Sequence, residues 1–274
     1  MTSTKVLIMV HAEVRALNIT LRVLKEYCHI DNKDIIIASR NAGEAVETFL
    51  KSQTDYEYIL ADSNDTYGAI LNAVVSEFIE PGQNLSIINE GQMIFEGVLE
   101  KASSYISENN GVGAILLNEY HISDGDYETI TLPAEKILRP IAGWNKEGLV
   151  ISSRLLEQIS FEEKYVNYNH VLIDYLFQGS LNGLVPHFAS DCGVYVFYDY
   201  PFSINDYIME TLIYTKWGMN YFTCGPNEEL LTLLPKGLPK NLAYLEIGCD
   251  CGGNGSGVKK NISRCQSVWY GVKS

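Results

Sequence analysis

Lys5-Val6-Leu7-Ile8-Met9-Val10, followed by Arg15–Tyr27 with Leu17, Leu21 and Leu24 on one stripe, opens the pattern that decides the fold. An unbroken apolar run of five residues, Val6–Val10, reads as a strand buried on both faces, and leucines at spacings of three and four read as a helix. The pair repeats. Ile35-Ile36-Ile37-Ala38 precedes a helix over Gly43–Lys51, and Tyr56–Ala61 precedes a helix over Gly68–Phe78 with Ile70, Val74 and Phe78 in helical register. Leu85–Ile88 is the fourth strand and ends at Asn89-Glu90-Gly91. This βαβαβαβ order predicts an α/β fold, a mostly parallel sheet flanked by helices. Ligands of such sheets bind beyond the carboxyl ends of the strands. The loops after Val10, Ala38, Ala61 and Ile88 are therefore the ones that matter.

Farther along, Gly113–Leu117 and Gly148–Ser152 read as strands and Ser123–Arg139 as a polar hairpin or excursion. Glu163–Gly179 contains a helix closing at Gly179, Gly193–Tyr198 is a strand rich in tyrosine and phenylalanine, and Ile204–Met219 is an amphipathic helix. After Cys224-Gly225-Pro226 a short helix begins at Asn227. A strand over Leu242–Ile247 then runs into Gly248-Cys249-Asp250-Cys251-Gly252-Gly253, and Ser267–Val272 is a last strand.

Composition sets the outer limits. Of 274 residues, 46% are hydrophobic and 20% charged, the balance of a chain that buries a core. The formal charge is −14, and Lys259-Lys260 is the longest basic run, so nucleic acid is excluded as an expected partner. No apolar run approaches the ~18 residues of a membrane span. The Val6–Val10 stretch is too short for a signal sequence, and a cytoplasmic location is the expectation. The six cysteines show no paired spacing of a secreted scaffold, and Cys249-Asp250-Cys251 alone is weak evidence for zinc.

The order of strand Lys5–Val10, the small-residue stretch Ser39–Gly43, Gly68-Ala69-Ile70-Leu71-Asn72 and an acidic turn after the fourth strand resembles family 2 glycosyltransferases of the GT-A fold. Leu149-Val150-Ile151-Ser152-Ser153-Arg154-Leu155-Leu156, followed by Phe161-Glu162-Glu163-Lys164-Tyr165, is similar to that family's stretch before its acceptor-side helix. The resemblance covers about three quarters of the chain and implies a nucleotide-sugar donor, a divalent cation (Mg or Mn), a glycan or lipid-linked acceptor and an inverting transfer. It assigns donor contacts to His11, Glu13, Ser39, Gly68, Asn72 and Asn89. Where the family holds its cation with Asp-x-Asp, this chain has Asn89-Glu90-Gly91, so Glu90 becomes the metal ligand. One carboxylate plus substrate phosphates can hold magnesium. Where the family places its catalytic Asp, the register gives His170, a competent base near pH 7 if its pKa stays near ~6.5. The family's acid after strand two is replaced by Arg40.

Each assignment has a plainer alternative. Glu90 is also what a solvated turn would carry, His170 what a surface or capping position would carry, and Glu13 an ordinary acid at a helix N-terminus. Asn72 caps a turn as readily as it reaches a donor, and His11 and Gly68 are open in the same way. His121 and His187 read as structural or surface residues.

A second resemblance begins at Tyr221. Leu245-Glu246-Ile247-Gly248-Cys249-Asp250-Cys251-Gly252 is similar to the glycine-rich opening of class I S-adenosylmethionine methyltransferases. Asp250 stands at the middle glycine position, where a side chain crowds the loop, and Lys273 stands where the ribose-binding acid is expected, although an ammonium only donates. Residues 223–274 supply two strands, too few for a core of their own. The expected organisation is a GT-A-like domain over 1–222 and an incomplete methyltransferase-like segment over 223–274, the front of a longer fusion, with no S-adenosylmethionine bound. Two functions stay open: a glycosyltransferase in polysaccharide synthesis, or a non-catalytic module that keeps the fold and has lost its acids.

Overall fold

The computed structural model describes residues 3–11, 13–53, 55–121, 138–140, 148–165, 167–197 and 216. All but Lys216 lie in one compact unit, Met1–Asn205. The helix expected over 204–219, the boundary at 222 and the segment 223–274 fall outside the described residues, Lys216 aside.

The expected alternation is present. β1 (Thr4–Val10), α1 (Val14–Glu26), β2 (Ile35–Arg40), α2 (Glu44–Ser52), β3 (Glu57–Ala61), α3 (Tyr67–Phe78) and β4 (Asn84–Asn89) follow in order. β1 pairs in parallel with β2 on one side and β4 on the other, and β2 pairs in parallel with β3. Leu7, Ile8, Ile36 and Ile37 are fully buried, and each such side chain contributes about 1.5–3 kcal/mol on leaving water. The third strand departs from its reading. β3 is the edge of the sheet, with Glu57 exposed and Tyr58 at 37% exposure, because no further strand covers it.

Beyond β4 come β5 (Gln92–Ile94), α4 (Val98–Glu108), β6 (Val112–His121), β7 (Leu138–Pro140), β8 (Leu149–Ile151), α5 (Ser153–Gln158), α6 (Tyr168–Leu181) and β9 (Val185–Val196). The sheet order is β3-β2-β1-β4-β8-β6-β9-β5, with β7 pairing on β9. β8 enters antiparallel between β4 and β6, and β6 and β9 are parallel to each other. The sheet is therefore mixed but mostly parallel. β9 begins eight residues before the expected Gly193; its first half, Val185–Phe188, pairs with β6 across register shifts and shows no apolar–polar alternation. α6 starts at Tyr168, within the Glu163–Gly179 stretch expected to contain a helix, and runs two residues past Gly179; Asn167 caps it by accepting from the N–H groups of Asn169 and His170. Among the described residues no helix is long and apolar enough to cross a membrane.

Candidate functional site

The carboxyl ends of β1 and β4 lie side by side, with Met9 opposite Asn89. The Glu90 N–H donates to the Met9 carbonyl at 3.0 Å. Gly91 then adopts φ +89°, a left-handed conformation in which a side chain would be strained. Its N–H donates to the Thr20 hydroxyl of α1 at 3.0 Å, and its carbonyl accepts from the Phe197 N–H at 3.0 Å. This turn sends the Glu90 carboxylate inward. Glu90 is 2% exposed, and its two oxygens accept from the backbone N–H groups of His11 at 2.7 Å and Glu13 at 3.4 Å. The expectation that Glu90 faces a diphosphate, or water, is corrected. Its charge holds the loop between β1 and α1. Glu13 in turn caps α1, its side chain accepting from the Arg15 N–H at 3.1 Å.

His11 stands at the centre of the edge. Its Nε2 lies 3.4 Å from the Asn89 Oδ1 and its Nδ1 3.4 Å from the Tyr67 hydroxyl. Burial lowers its pKa to about 4, against a smaller raising effect of the Asn89 hydrogen bond. The imidazole is therefore neutral near pH 7, and the two contacts assign the proton to Nε2, donating to Asn89, while Nδ1 accepts from Tyr67. The rings of Tyr67 and Tyr168 pack on His11, both at 6.1 Å between centroids, and on each other at 5.5 Å. Arg40, at the end of β2, places its guanidinium 5.4 Å from the centre of the Tyr67 ring. The Nε and Nη2 groups of Arg40 donate to the carbonyls of Asp65 and Ser63, which fixes its position. Sequence reading singled out neither tyrosine. Tyr67 and Tyr168 each occupy the first position of a helix, and that position is the signal that was available.

The other expected donor residues are engaged elsewhere. The Ser39 hydroxyl is buried and donates to the Val10 carbonyl at 2.8 Å, joining β2 to β1. A Cβ on Gly68 would come within 2.4 Å of the Glu162 carbonyl oxygen, so this glycine lets α3 touch the 161–165 segment. Asn72 serves the same segment. Its amide donates to the Phe161 carbonyl at 3.0 Å and to Glu163 at 2.9 Å, and its oxygen accepts from the Phe161 N–H at 2.8 Å. Within the protein, Ser39 joins two strands, and Gly68 and Asn72 pack the loops that border the edge.

His170 is also corrected. It lies in the first turn of α6 with 0% exposure, and burial lowers its pKa to about 4, not the unperturbed value expected of a base. Its ring meets Tyr165 edge-on at 6.4 Å, and Tyr165 donates to the buried Asp174 at 3.2 Å. Tyr168, two residues earlier, reaches His11, so α6 begins at the same end of the sheet as Glu90. The structure thus brings His11, Glu13, Asn89 and Glu90 into one cluster, with Tyr67, Tyr168 and Arg40 around it. His170 stays beneath.

A divalent cation needs several oxygen ligands. Among the described residues no group of three His, Cys, Asp or Glu side chains converges on a point, and Glu90 is engaged by backbone N–H groups. Among the described residues, Glu90 as it stands, bonded to backbone N–H groups, does not fit the cation that the resemblance implies.

No protein-family model and no curated protein matches the sequence. Solved structures do. TarS from S. aureus, residues 1–349 in complex with UDP, superposes with a TM-score of 0.51 at 13% identity, over 77% of this chain and 65% of that one. A second structure of S. aureus TarS gives a TM-score of 0.54 at 12% identity, over 78% of this chain and 39% of that one. GalNAc-T7 with UDP, GalNAc and Mn2+ gives 0.54 at 9% identity, over 72% of this chain and 44% of that one. The chain thus spans less than two thirds of the length of each of these proteins. At such identities the likeness establishes architecture and not chemistry. The chain has the α/β fold of GT-A-type glycosyltransferases.

Proposed function

We propose that this chain binds a nucleotide-sugar donor at the carboxyl edge of its sheet and transfers the sugar to a hydroxyl of a glycan or lipid-linked acceptor. The observation that carries the reading is the cluster of His11, Tyr67 and Tyr168 with Arg40 over the Tyr67 ring, built at the strand ends of a GT-A-like fold. Aromatic faces stack on a nucleobase, and a guanidinium pairs with phosphate. Asn89 and the neutral His11 add polar contacts on the same side. In the transfer, the acceptor oxygen attacks the anomeric carbon while the bond to the diphosphate breaks with its electron pair, and the configuration inverts. The acceptor proton passes to a base. His170 holds that part only where the first turn of α6 opens to the acceptor, since its ring is enclosed in the closed fold.

The inward orientation of both Glu90 and His170 favours a second reading, a module that recognises a nucleotide or nucleotide sugar without turning it over. Calorimetry with UDP and GDP tests what the two readings share. Binding weakened about tenfold by Arg40→Ala and by Tyr67→Ala is the expected result, the loss of one stacked or charged contact. Binding that ignores both substitutions removes the nucleotide from this edge. Release of free sugar from the bound donor then favours transfer over recognition.

A further inference from the structure

We propose that Glu90 is a positioning residue and not a metal ligand: its carboxylate latches the β1–α1 loop to the turn after β4, and the nucleotide is held there without a divalent cation. This rests on the nucleotide-binding reading above. Four observations meet at this residue. The carboxylate is buried, with 2% exposure, in a turn whose backbone is bonded on both sides, to Met9 and to Thr20 and Phe197. Both its oxygens receive backbone N–H groups, from His11 and Glu13, and the two donors belong to the loop that presents His11 to the edge. Among the described residues no group of three or more His, Cys, Asp or Glu side chains is arranged to hold a metal ion, at Glu90 or elsewhere. Arg40 sets a fixed cation at the same edge, its Nη1 amino group lying outside the two bonds that anchor it.

The physical logic is that of a preorganised loop. A buried carboxylate bonded to two N–H groups is stable only while both donors stay in place, since an uncompensated buried charge costs several kcal/mol. Metal binding would have to pull Glu90 out of this arrangement and leave the His11 and Glu13 N–H groups unpaired, at about 1–3 kcal/mol for each group. The fold therefore opposes a cation at this position. The negative charge that a metal would neutralise on the donor falls to Arg40.

Three measurements test the latch. First, Mn2+ alone is titrated into the wild-type chain and into Glu90→Gln, followed by water-proton relaxation. Superimposable isotherms are expected, and a site present in the wild type and lost in the variant overturns the proposal. Second, UDP affinity of the wild type is measured by calorimetry in chelator and in millimolar Mn2+. Agreement within about twofold is expected, and affinity that exists only with Mn2+ overturns the proposal. Third, amide hydrogen exchange is read at His11 and Glu13. Exchange about tenfold faster in Glu90→Gln, confined to this loop, is expected from losing one charge-assisted bond, and unchanged exchange overturns the latch. If UDP binds under neither condition, the nucleotide reading fails, while relaxation and exchange still decide what Glu90 does.

Discussion

Two connections stand next to residues in which chemistry was expected, the Asn89–Gln92 turn after β4 and the Phe161–Tyr165 segment before α6, and they are held by different means. The first is held by a charge: Glu90 accepts from two backbone N–H groups of the β1–α1 loop. The second is held chiefly by the neutral Asn72 amide, one of whose bonds reaches the Glu163 carboxylate, and by space. Asn72 exchanges three hydrogen bonds with Phe161 and Glu163, and Gly68 lets α3 approach the Glu162 backbone. Bonds to charged groups contribute about 1.5–3 kcal/mol and neutral ones about 1 kcal/mol. A charged latch is therefore strong but fails as a whole, whereas the neutral one is divided among several contacts. The partly buried aromatic and cationic groups, Tyr67, Arg40 and His11, stand between these two loops.

The comparison breaks most sharply at the close approach. Gly68→Ala places a Cβ 2.4 Å from the Glu162 carbonyl oxygen and 2.8 Å from its carbon, both backbone atoms that cannot rotate away. A loss of about 3 kcal/mol in urea unfolding is expected, and an unchanged midpoint would show that segment 161–165 shifts freely. Asn72→Ala follows. It leaves the Phe161 N–H and carbonyl without their partner, and a loss of about 2 kcal/mol is expected; a loss too small to measure would mean that water replaces the amide.

The smallest effect is one of pH. His170 in the folded chain takes up a proton only near pH 4, against 6.5 unfolded, because burial disfavours the charged ring. As pH falls from 6.5 towards 4, the unfolded chain binds a proton that the folded chain does not. Stability therefore falls with falling pH in that window, by about 1 kcal/mol at pH 5.5. His170→Leu is expected to flatten the slope. His11, with its pKa also lowered to about 4, acts in the same direction, so the slope that survives in the variant reports the first connection. A variant with the full wild-type slope would place the effect outside α6.

The parallel half of the fold was legible because its signal is local. Val6–Val10 and Ile35–Ala38 are continuous apolar runs, and such runs have few ways to leave water other than as central strands. β5, α4 and the first half of β9 were not legible. Gln92–Ile94 is three residues long, and Val185–Phe188 of β9 does not alternate between apolar and polar, so neither carries a period. At the site, the sequence indicated the right edge of the sheet and several of its residues, His11, Glu13, Asn89 and Glu90 among them. It did not indicate which way they face. Tyr67 and Tyr168 are a hundred residues apart and meet only because α3 and α6 start at the same end of the sheet.

What the sequence determined alone is the α/β alternation and the parallel order of its first strands, because strand and helix periods are properties of short segments. Only the tertiary structure decided that Glu90 and His170 turn inward while Arg40 and the two tyrosines gather at the edge. The direction of a side chain depends on partners distant in the chain. For Glu90 those partners are the N–H groups of His11 and Glu13, which no local pattern records.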